Sequence, residues 1–488
     1  MSFYAGFDCS TQGLSVVVLD AARRAIVFRD GLAFDEPFLA SADGTVVHAS
    51  PHTWRRALET MLARVAARVD RRSLRAISGA AQQHGSVYCG EAPETLTRDT
   101  SPIWMDSSTV SECREIEAAL GGPAATARLT GSRAFPRFTG PQIRKIAREQ
   151  PEVYARTKRI HLVSSYMASL LAGAHAPIDH ADGSGMTLMD IGRKTWSQAA
   201  LEATAPQLHA RLPPLVPSSA SIGTLAERWQ QRFGLPAARV VAWSGDNPSS
   251  LVGTGLIREG QLAISLGTSD TIFGPMREPR VSADGVGHVF ASPLGDYMGI
   301  TVFRNGSLAR ERVRDAFGMT WDGFSEALRQ TPPGNGGAMM LPWFEPEITP
   351  EVPTAAVHRF GLAAATAAQH VRAVVEAQIM ALARHSAWMG ITPTVIHATG
   401  GAAGNREILQ VIADVFATPV YRFEATDSAA LGAALRAMQA DTGREWDEVI
   451  ERFVTPVADA IQPAAPGVEV YRELRAVHAA RERTALTG

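Results

Sequence analysis

Two aspartates, Asp8 and Asp246, stand where apolar segments end and small polar turns begin. Asp8 closes an apolar segment at residues 3–8, and a carboxylate there is suited to hold a hydrated Mg²⁺ against the phosphates of a nucleotide. Asp246 follows the apolar segment 240–243 and is suited to take a proton from a hydroxyl that attacks phosphorus. Each also has a structural interpretation, Asp8 as a turn residue and Asp246 as the cap of a following helix. The local sequence leaves both interpretations open.

The turn after Asp8 has a counterpart about half a chain later. Residues 3–20 have the pattern strand, turn, strand, and residues 261–274 repeat it around Gly267-Thr268-Ser269-Asp270. Glycine and hydroxyl residues in such turns expose backbone N–H groups to an anion and leave it room to approach. The two hairpins therefore predict two related domains that face one phosphate chain.

Two polar loops are suited to bind a sugar. Gln83 and His84 follow a predicted strand at 74–79, and their side chains both donate to and accept from hydroxyl groups. Arg137 lies among aromatic residues in a glycine-containing loop. The alternative is that His84 and Arg137 only stabilise their loops.

A glycine-rich turn is suited to bind a nucleoside. Gly400 and Gly401 follow a predicted strand at 394–398, and Asn405 begins a predicted helix as its N-cap. Paired glycines permit flat contact with an adenine or a ribose. The alternative is a strand-to-helix turn that binds no ligand.

The composition argues against several classes of protein. A chain of 488 residues favours two domains, and a net charge of −2 provides no basic surface for nucleic acid or an anionic membrane. Three cysteines without metal-ligand spacing favour reduced thiols in a cytoplasm, and the first residues lack a signal-peptide pattern. No lysine follows a glycine, so the P-loop is absent, as are the protein-kinase motifs.

Alternating strands and helices predict an α/β fold. The first domain is predicted at residues 1–250 and the second at 251–488, with Asp246 at their junction.

Together these segments resemble the FGGY carbohydrate kinases, within the actin, hexokinase and heat-shock-chaperone superfamily. The resemblance covers nearly the whole chain and is closest to the eukaryotic-type branch that phosphorylates D-xylulose. The chain departs from the pattern where Ala402-Ala403-Gly404 follows the glycine pair and where Pro136 precedes Arg137. The motifs that carry the resemblance, besides the hairpins and glycine pair, are Gln82-Gln83-His84-Gly85-Ser86, Trp104-Met105-Asp106-Ser107-Ser108-Thr109, Leu129-Thr130-Gly131-Ser132-Arg133, Asp182-Gly183-Ser184-Gly185-Met186, Gly245-Asp246-Asn247-Pro248 and Asn405-Arg406-Glu407-Ile408-Leu409-Gln410.

The resemblance implies two actin-like, ribonuclease-H-like domains around a central cleft. It implies ATP- and Mg²⁺-dependent phosphorylation of D-xylulose to D-xylulose 5-phosphate, with Asp246 as the base for the O5 hydroxyl and Asp8 as the metal-organising carboxylate. The other implied roles are phosphate contacts by Thr11, Gln12, Gly267, Thr268 and Ser269, sugar contacts by His84, Arg137, Asp246 and Asn247 beside a pocket wall of Gln83 and Trp104, and adenosine contacts by Trp321, Gly400, Gly401 and Asn405.

Two rival functions remain at this stage. One is a kinase for another ketose or polyol, such as ribulose or glycerol, because specificity among sugars depends on a few hydrogen bonds. The other is a non-catalytic nucleotide-dependent protein on the same fold. The expected partners are the sugar and ATP, without nucleic acid or membrane, and a homodimer is left open.

Overall fold

The computed structural model describes residues 1–423 and 427–487. Residues 3–253 form the first lobe. Its strands are β1 Phe3–Cys9, β2 Gly13–Asp20, β3 Ala25–Ala33, β4 Leu39–Ala40, β5 Val47–Ala49, β6 Leu74–Ala81, β7 Ser86–Cys89, β8 Ser101–Pro102, β9 Arg159–Leu162, β10 Ile178–Asp179, β11 Met189–Asp190, β12 Thr195–Trp196, β13 Leu215–Val216, β14 Ser221–Thr224, β15 Arg239–Val241 and β16 Ser244–Gly245. Its helices are α1 Pro51–Arg68, α2 Val110–Ala119, α3 Pro123–Thr130, α4 Thr139–Glu149, α5 Pro151–Arg156, α6 Val163–Ala172, α7 His180–Gly183, α8 Gln198–Thr204, α9 Glu227–Phe233 and α10 Asp246–Gly253.

Residues 261–422 form the second lobe, and three further helices follow it. The strands are β17 Gln261–Leu266, β18 Asp270–Met276, β19 His288–Ala291, β20 Tyr297–Phe303, β21 Met339–Trp343, β22 Ala356–Phe360, β23 Val395–Thr399 and β24 Val420–Arg422. The helices are α11 Ser307–Ala316, α12 Trp321–Gln330, α13 Ala367–His385, α14 Arg406–Phe416, α15 Ser428–Thr442, α16 Trp446–Ile450 and α17 Ala465–Thr487.

The central sheets of the two lobes share a topology of five strands, β15-β6-β1-β2-β3 in the first lobe and β24-β23-β17-β18-β20 in the second. In the first lobe the order is β14-β15-β6-β1-β2-β3, with β1 antiparallel to β2 and parallel to β6. In the second lobe the order is β19-β20-β18-β17-β23-β24, with β17 antiparallel to β18 and parallel to β23. Each lobe thus places an antiparallel hairpin beside parallel strands, which confirms the predicted α/β fold class. The domain boundary at residue 250 stays a prediction, and residue 488 lies outside the described residues.

Helix α15, which follows the second lobe in sequence, packs on the sheet of the first. Its apolar residues form a core cluster with strands β1, β2 and β6. A Cβ atom at Gly6 would lie 2.1 Å from the carbonyl oxygen of Ala430, so only glycine allows this close approach. Arg436 of the same helix is fully buried and donates to the carbonyl oxygen of Gly79 at 3.2 Å. Helix α15 therefore packs a segment from the C-terminal half of the chain against the sheet of the first lobe, beside the end of β1.

Within the described ranges, no helix is long and apolar enough to cross a membrane.

Candidate active site

Strand β1 carries Asp8 to the mouth of the first hairpin. In the turn that follows, the Ser10 N–H donates to the Gly13 carbonyl at 2.9 Å. The Asp8 side chain is half-buried, and its Oδ1 atom has no hydrogen-bond partner among the described residues. Burial, together with the charges of Asp246 and Asp427, raises the pKa of Asp8 to about 8. A bound cation would therefore stabilise the ionised form of this carboxyl group.

A cleft of about 580 Å³ opens beside this hairpin. It brings together the predicted residues Asp8, Gln12, Asp246 and Asn247, and it adds Asp427 from the start of α15. Within residues 1–423 and 427–487, no three metal-ligating side chains are close enough to form a metal site without other ligands. The arrangement matches Mg²⁺, which is bound in phosphoryl-transfer sites by one or two carboxylates together with water and substrate phosphates.

Asp246 is the first residue of helix α10, and Gly245 is the N-cap. The interpretation of Asp246 as the helix cap is therefore wrong, because the helix begins one residue earlier than a side-chain cap at Asp246 would require. Its Oδ1 atom accepts from the backbone N–H of Asn247 at 2.8 Å and from Nδ2 of Asn247 at 3.1 Å. Burial raises the pKa of Asp246 to about 6. A carboxylate with this pKa is ionised at neutral pH and is basic enough to accept a proton.

A chain of side chains holds Asn247 in place. Asn247 Nδ2 donates to Gln83 Oε1 at 3.0 Å, and Gln83 Nε2 lies 3.4 Å from Oδ1 of Asp182. Ser164 donates to the other oxygen of Asp182. The predicted residue Gln83 thus lies behind Asn247 and orients it.

His84 and Arg137 lie on either side of an aromatic cluster. The ring of His84 is 4.3 Å from that of Phe138, and the Arg137 guanidinium lies 5.1 Å from the ring centre of Phe135. The His84 Nδ1–H donates to the Gly185 carbonyl at 2.9 Å. Burial lowers the pKa of His84 to about 3, so the ring is neutral and its Nε2 atom is an acceptor. His84 therefore offers an acceptor and Arg137 offers donors.

Trp104 joins the polar loop to the first hairpin. Its indole Nε1–H donates to Thr11 Oγ1 at 2.8 Å, and the side chain remains 45% exposed. The predicted pocket wall and the predicted phosphate turn are therefore in direct contact.

The second hairpin is held from behind by a buried ion pair. The Gly267 carbonyl accepts from the Ser307 N–H at 2.7 Å, while Thr268 and Ser269 are exposed. Behind the turn, Arg310 binds both carboxylate oxygens of Asp270 at 2.8 and 2.9 Å. The side chains of this pair are only 1% and 2% exposed. Helix α11 thereby fixes the turn that presents the exposed hydroxyl groups.

We expect Arg310→Met to lower the free energy of unfolding by about 3–5 kcal/mol, because it leaves the Asp270 carboxylate buried without its partner. Denaturant unfolding measures this loss. The matched control is Arg312→Met on the same helix, where the side chain is 61% exposed and the expected loss is under about 1 kcal/mol. Equal losses in the two variants would contradict the structural role of the Arg310–Asp270 pair.

The residues predicted to contact adenosine form a second group, next to the second hairpin. Gly400 follows β23, and a Cβ atom there would lie 2.6 Å from the Leu266 carbonyl oxygen. Asn405 caps helix α14, because its Oδ1 accepts from the N–H of Glu407 at 3.0 Å. Its Nδ2 donates to Ser325 Oγ at 2.8 Å, which joins it to helix α12. Trp321 begins that same helix and is 42% exposed.

The adenosine contacts that the resemblance implies predict that Gly401→Leu raises the KM for ATP well above that of the wild type, while the KM for the sugar changes little. A Cβ atom at Gly401 would meet no protein atom of the described residues within 4 Å, so the protein itself accommodates the new side chain. A nucleoside lying against the glycine would be displaced. Steady-state kinetics with each substrate varied in turn measure both constants.

The control for this prediction is Gly404→Leu, in the same turn and equally open. Its KM for ATP should stay near the wild-type value. If Gly401→Leu raises both KM values together, the adenosine assignment loses its support.

Three residues of this site were not found from the sequence. Asp427 lines the cleft, Arg310 supports the second hairpin, and His288 contacts Arg137. Each acts on a residue far away in the chain, and no local motif marks any of them.

A two-lobed fold of duplicated topology, with carboxylates in a cleft beside a glycine hairpin, is the architecture of a phosphoryl-transfer enzyme. The profiles described as the N-terminal and C-terminal domains of the FGGY family of carbohydrate kinases match residues 3–253 and 262–440. The chain belongs to the FGGY family of carbohydrate kinases.

Individual relatives cover nearly the whole chain. It is 40% identical to the xylulose kinase of Mus musculus, over 99% of this chain and 94% of the relative. It is 41% identical to xylulose kinase 2 of Arabidopsis thaliana, over 89% of this chain and 87% of the relative. The crystal structure of xylulose kinase from Rhodospirillum rubrum is similar with a TM-score of 0.89, covering 99% and 98% of the two chains at 20% identity. The predicted pair of actin-like domains is confirmed.

Proposed function

We propose that this enzyme transfers the γ-phosphate of ATP to the O5 hydroxyl of D-xylulose, giving D-xylulose 5-phosphate and ADP. The observation that carries the proposal is the 40% identity to a xylulose kinase over 99% of the chain. Membership of a carbohydrate kinase family implies ATP as the phosphoryl donor. The hydrogen-bonding side chains of His84, Arg137 and Asn247 support the choice of a small polyhydroxylated acceptor.

Asp246 is the general base in this proposal. The O5–H proton passes to the Asp246 carboxylate as O5 bonds to the γ-phosphorus and the bond to the ADP oxygen breaks. A pKa of about 6 supports this role, because the group is ionised before the reaction and takes the proton during it. Asn247 and Gln83 hold the carboxylate in one orientation.

His84 and Arg137 position the sugar. The neutral His84 ring accepts a hydrogen bond from one hydroxyl through Nε2, and the Arg137 guanidinium donates to another oxygen. Burial lowers the pKa of Arg137 to about 10, which leaves it charged at neutral pH. Donors and acceptors at fixed positions discriminate between sugars, since an analogue that lacks one hydroxyl leaves a buried group unpaired.

Mg²⁺ fits the residues of the cleft. Asp8 would hold it, since its buried Oδ1 has no partner within the described part of the chain. When bound, the ion neutralises charge on the phosphate oxygens. With the ion bound, the ionised Asp8 carboxylate would place negative charge at the mouth of the hairpin, whose turn residues Thr11 and Gln12 face the phosphates in this proposal.

The second lobe binds the rest of the nucleotide in this proposal. Gly267, Thr268 and Ser269 contact the phosphates, while Gly400 and Gly401 lie against the nucleoside. Trp321 packs beside the adenine, and Asn405 caps the N-terminus of helix α14, which follows the glycines. A homodimer remains a prediction.

The test is ADP release measured with a panel of acceptors that contains D-xylulose, D-ribulose, L-ribulose, glycerol and D-gluconate. We expect the highest kcat/KM with D-xylulose, and phosphorus NMR of the product should show coupling to the C5 methylene protons. A higher kcat/KM with another acceptor would make the enzyme a kinase for that compound. ATP turnover that no acceptor increases would contradict the proposed function as a whole.

A further inference from the structure

His288 comes from strand β19 of the second lobe, yet it lies among the predicted sugar-binding residues of the first. Its Nε2 atom is 2.9 Å from Nη2 of Arg137. Its ring is 4.8 Å from that of Phe135 and 5.5 Å from that of Phe138. Only 4% of the residue is exposed. The second lobe thus places one imidazole beside the guanidinium that is proposed to bind the sugar.

The contact with Arg137 determines where the proton of this imidazole lies. A guanidinium has only donors, so His288 Nε2 must accept the hydrogen bond. Burial and the charge of Arg137 hold the pKa of His288 well below its ordinary value, so the ring is neutral. A neutral imidazole that accepts at Nε2 carries its proton on Nδ1, which is therefore a donor.

The Nδ1–H group is a buried donor without an acceptor. Nδ1 is inaccessible to solvent and has no hydrogen-bond partner among residues 1–423 and 427–487. The rings packed against His288 belong to Phe135, Phe138 and Phe290, and the ring of Phe290 lies 6.4 Å from that of His84. Leaving a buried donor unpaired destabilises a folded protein, so such a group is usually paired in the functional state.

We propose that His288 is a sugar-binding residue supplied by the second lobe, with its Nδ1–H donating to an oxygen of the sugar and its Nε2 orienting Arg137. This rests on the proposed function in requiring a polyhydroxylated acceptor beside Arg137. Of the three side chains, His84 accepts a hydrogen bond from the sugar, whereas Arg137 and His288 donate hydrogen bonds to it. Two donors and one acceptor at fixed positions specify the arrangement of the sugar oxygens more narrowly than the first lobe does alone.

The backbone of β19 and the preceding turn is docked on the first lobe at the same place. The Val289 N–H donates to the Gly131 carbonyl at 3.0 Å, and the Arg133 N–H donates to the Gly285 carbonyl at 3.2 Å. A Cβ atom at Gly131 would lie 2.3 Å from the Val289 carbonyl oxygen, so the two segments are in close contact. The sugar site is therefore complete only when β19 lies against the first lobe. Binding of the sugar therefore stabilises the contact between the lobes, and that contact strengthens sugar binding by the same factor.

The test compares two substitutions, each of which keeps one of the two hydrogen-bonding functions of the imidazole. In His288→Gln the side-chain oxygen reaches the position of Nε2 and still accepts from Arg137, but the Nδ1 donor is lost. In His288→Asn the amide nitrogen replaces the Nδ1 donor, and the acceptor is lost. We expect His288→Gln to weaken D-xylulose binding about tenfold, by calorimetry without nucleotide, and to raise the sugar KM equally. The KM for ATP should stay near the wild-type value, and His288→Asn should recover part of the sugar affinity.

The control is His478→Gln, since His478 is equally buried but lies on α17, away from this cluster. Its sugar affinity should match the wild type. Wild-type affinity in His288→Gln, or an equal rise in the KM for ATP, would overturn the proposal. A wild-type protein that binds none of the panel acceptors would instead refute the proposed function. If the wild type prefers another acceptor, the same titrations with that compound test His288 directly.

Discussion

Replacing Asp246 with asparagine is expected to lower kcat by about 10²- to 10⁴-fold, the usual effect of removing a general base. Asparagine has the size of aspartate and can still accept hydrogen bonds from Asn247, but its amide cannot take the proton of the attacking hydroxyl. The KM for ATP should change little. Steady-state kinetics with saturating sugar measure both quantities.

A second carboxylate in the same cleft provides the control for this effect. Asp427→Asn removes one negative charge from the cleft without removing the proposed base. If both variants lose activity equally, the loss reports the net charge of the cleft and Asp246 is not the base. Near-normal turnover in Asp246→Asn would refute the assignment without reference to the control.

The pH dependence of the wild type tests the same assignment. The pKa of Asp246 is raised to about 6, and the base must be ionised to accept a proton. We therefore expect kcat/KM for the sugar to fall as the pH falls through about 6. A profile that stays flat down to pH 4 would show that no group with this pKa acts as the base.

The parts of the fold that could be predicted from sequence are those with strong local periodicity. The first hairpin was expected at 3–8 and 14–19 and is formed by Phe3–Cys9 and Gly13–Asp20. The helix expected at about 405–417 is Arg406–Phe416, and its cap at Asn405 is confirmed. Alternation, apolar spacing and capping residues act over a few positions, so they remain visible in a single chain.

The parts that could not be predicted depend on contacts between distant segments. The final helix Ala465–Thr487 was not expected, because most of its residues are exposed and its few buried residues, Gly467, Tyr471, His478 and Glu482, do not form an apolar pattern. His288 meets Arg137 across 151 positions, and nothing in the sequence around either residue indicates the other. The arrangement of the sugar site across two lobes is a property of the fold, so it follows only from the structure.

Replacing Asp8 with asparagine is expected to raise both the KM for MgATP and the Mg²⁺ requirement at least about tenfold, because a neutral amide cannot supply charge to a hard cation. Sugar binding without nucleotide should be unchanged, which calorimetry measures. The variant should also fold. With a pKa of about 8, the Asp8 carboxyl is largely protonated at pH 7 without a cation, and asparagine matches that neutral form in size.

The same raised pKa predicts how the stability of the nucleotide-free protein depends on pH. The ordinary value of 3.8 is raised to about 8 in the folded state, first by burial and then by Asp246 and Asp427. The contribution of Asp8 to the free energy of unfolding is therefore fully present below about pH 4 and is lost as the pH rises toward 8. Asparagine does not titrate, so the melting temperature of Asp8→Asn should exceed that of the wild type by more at pH 8 than at pH 5. A difference in melting temperature that does not change with pH would contradict the raised pKa of Asp8. Loss of sugar binding in Asp8→Asn would show that Asp8 acts outside the nucleotide site.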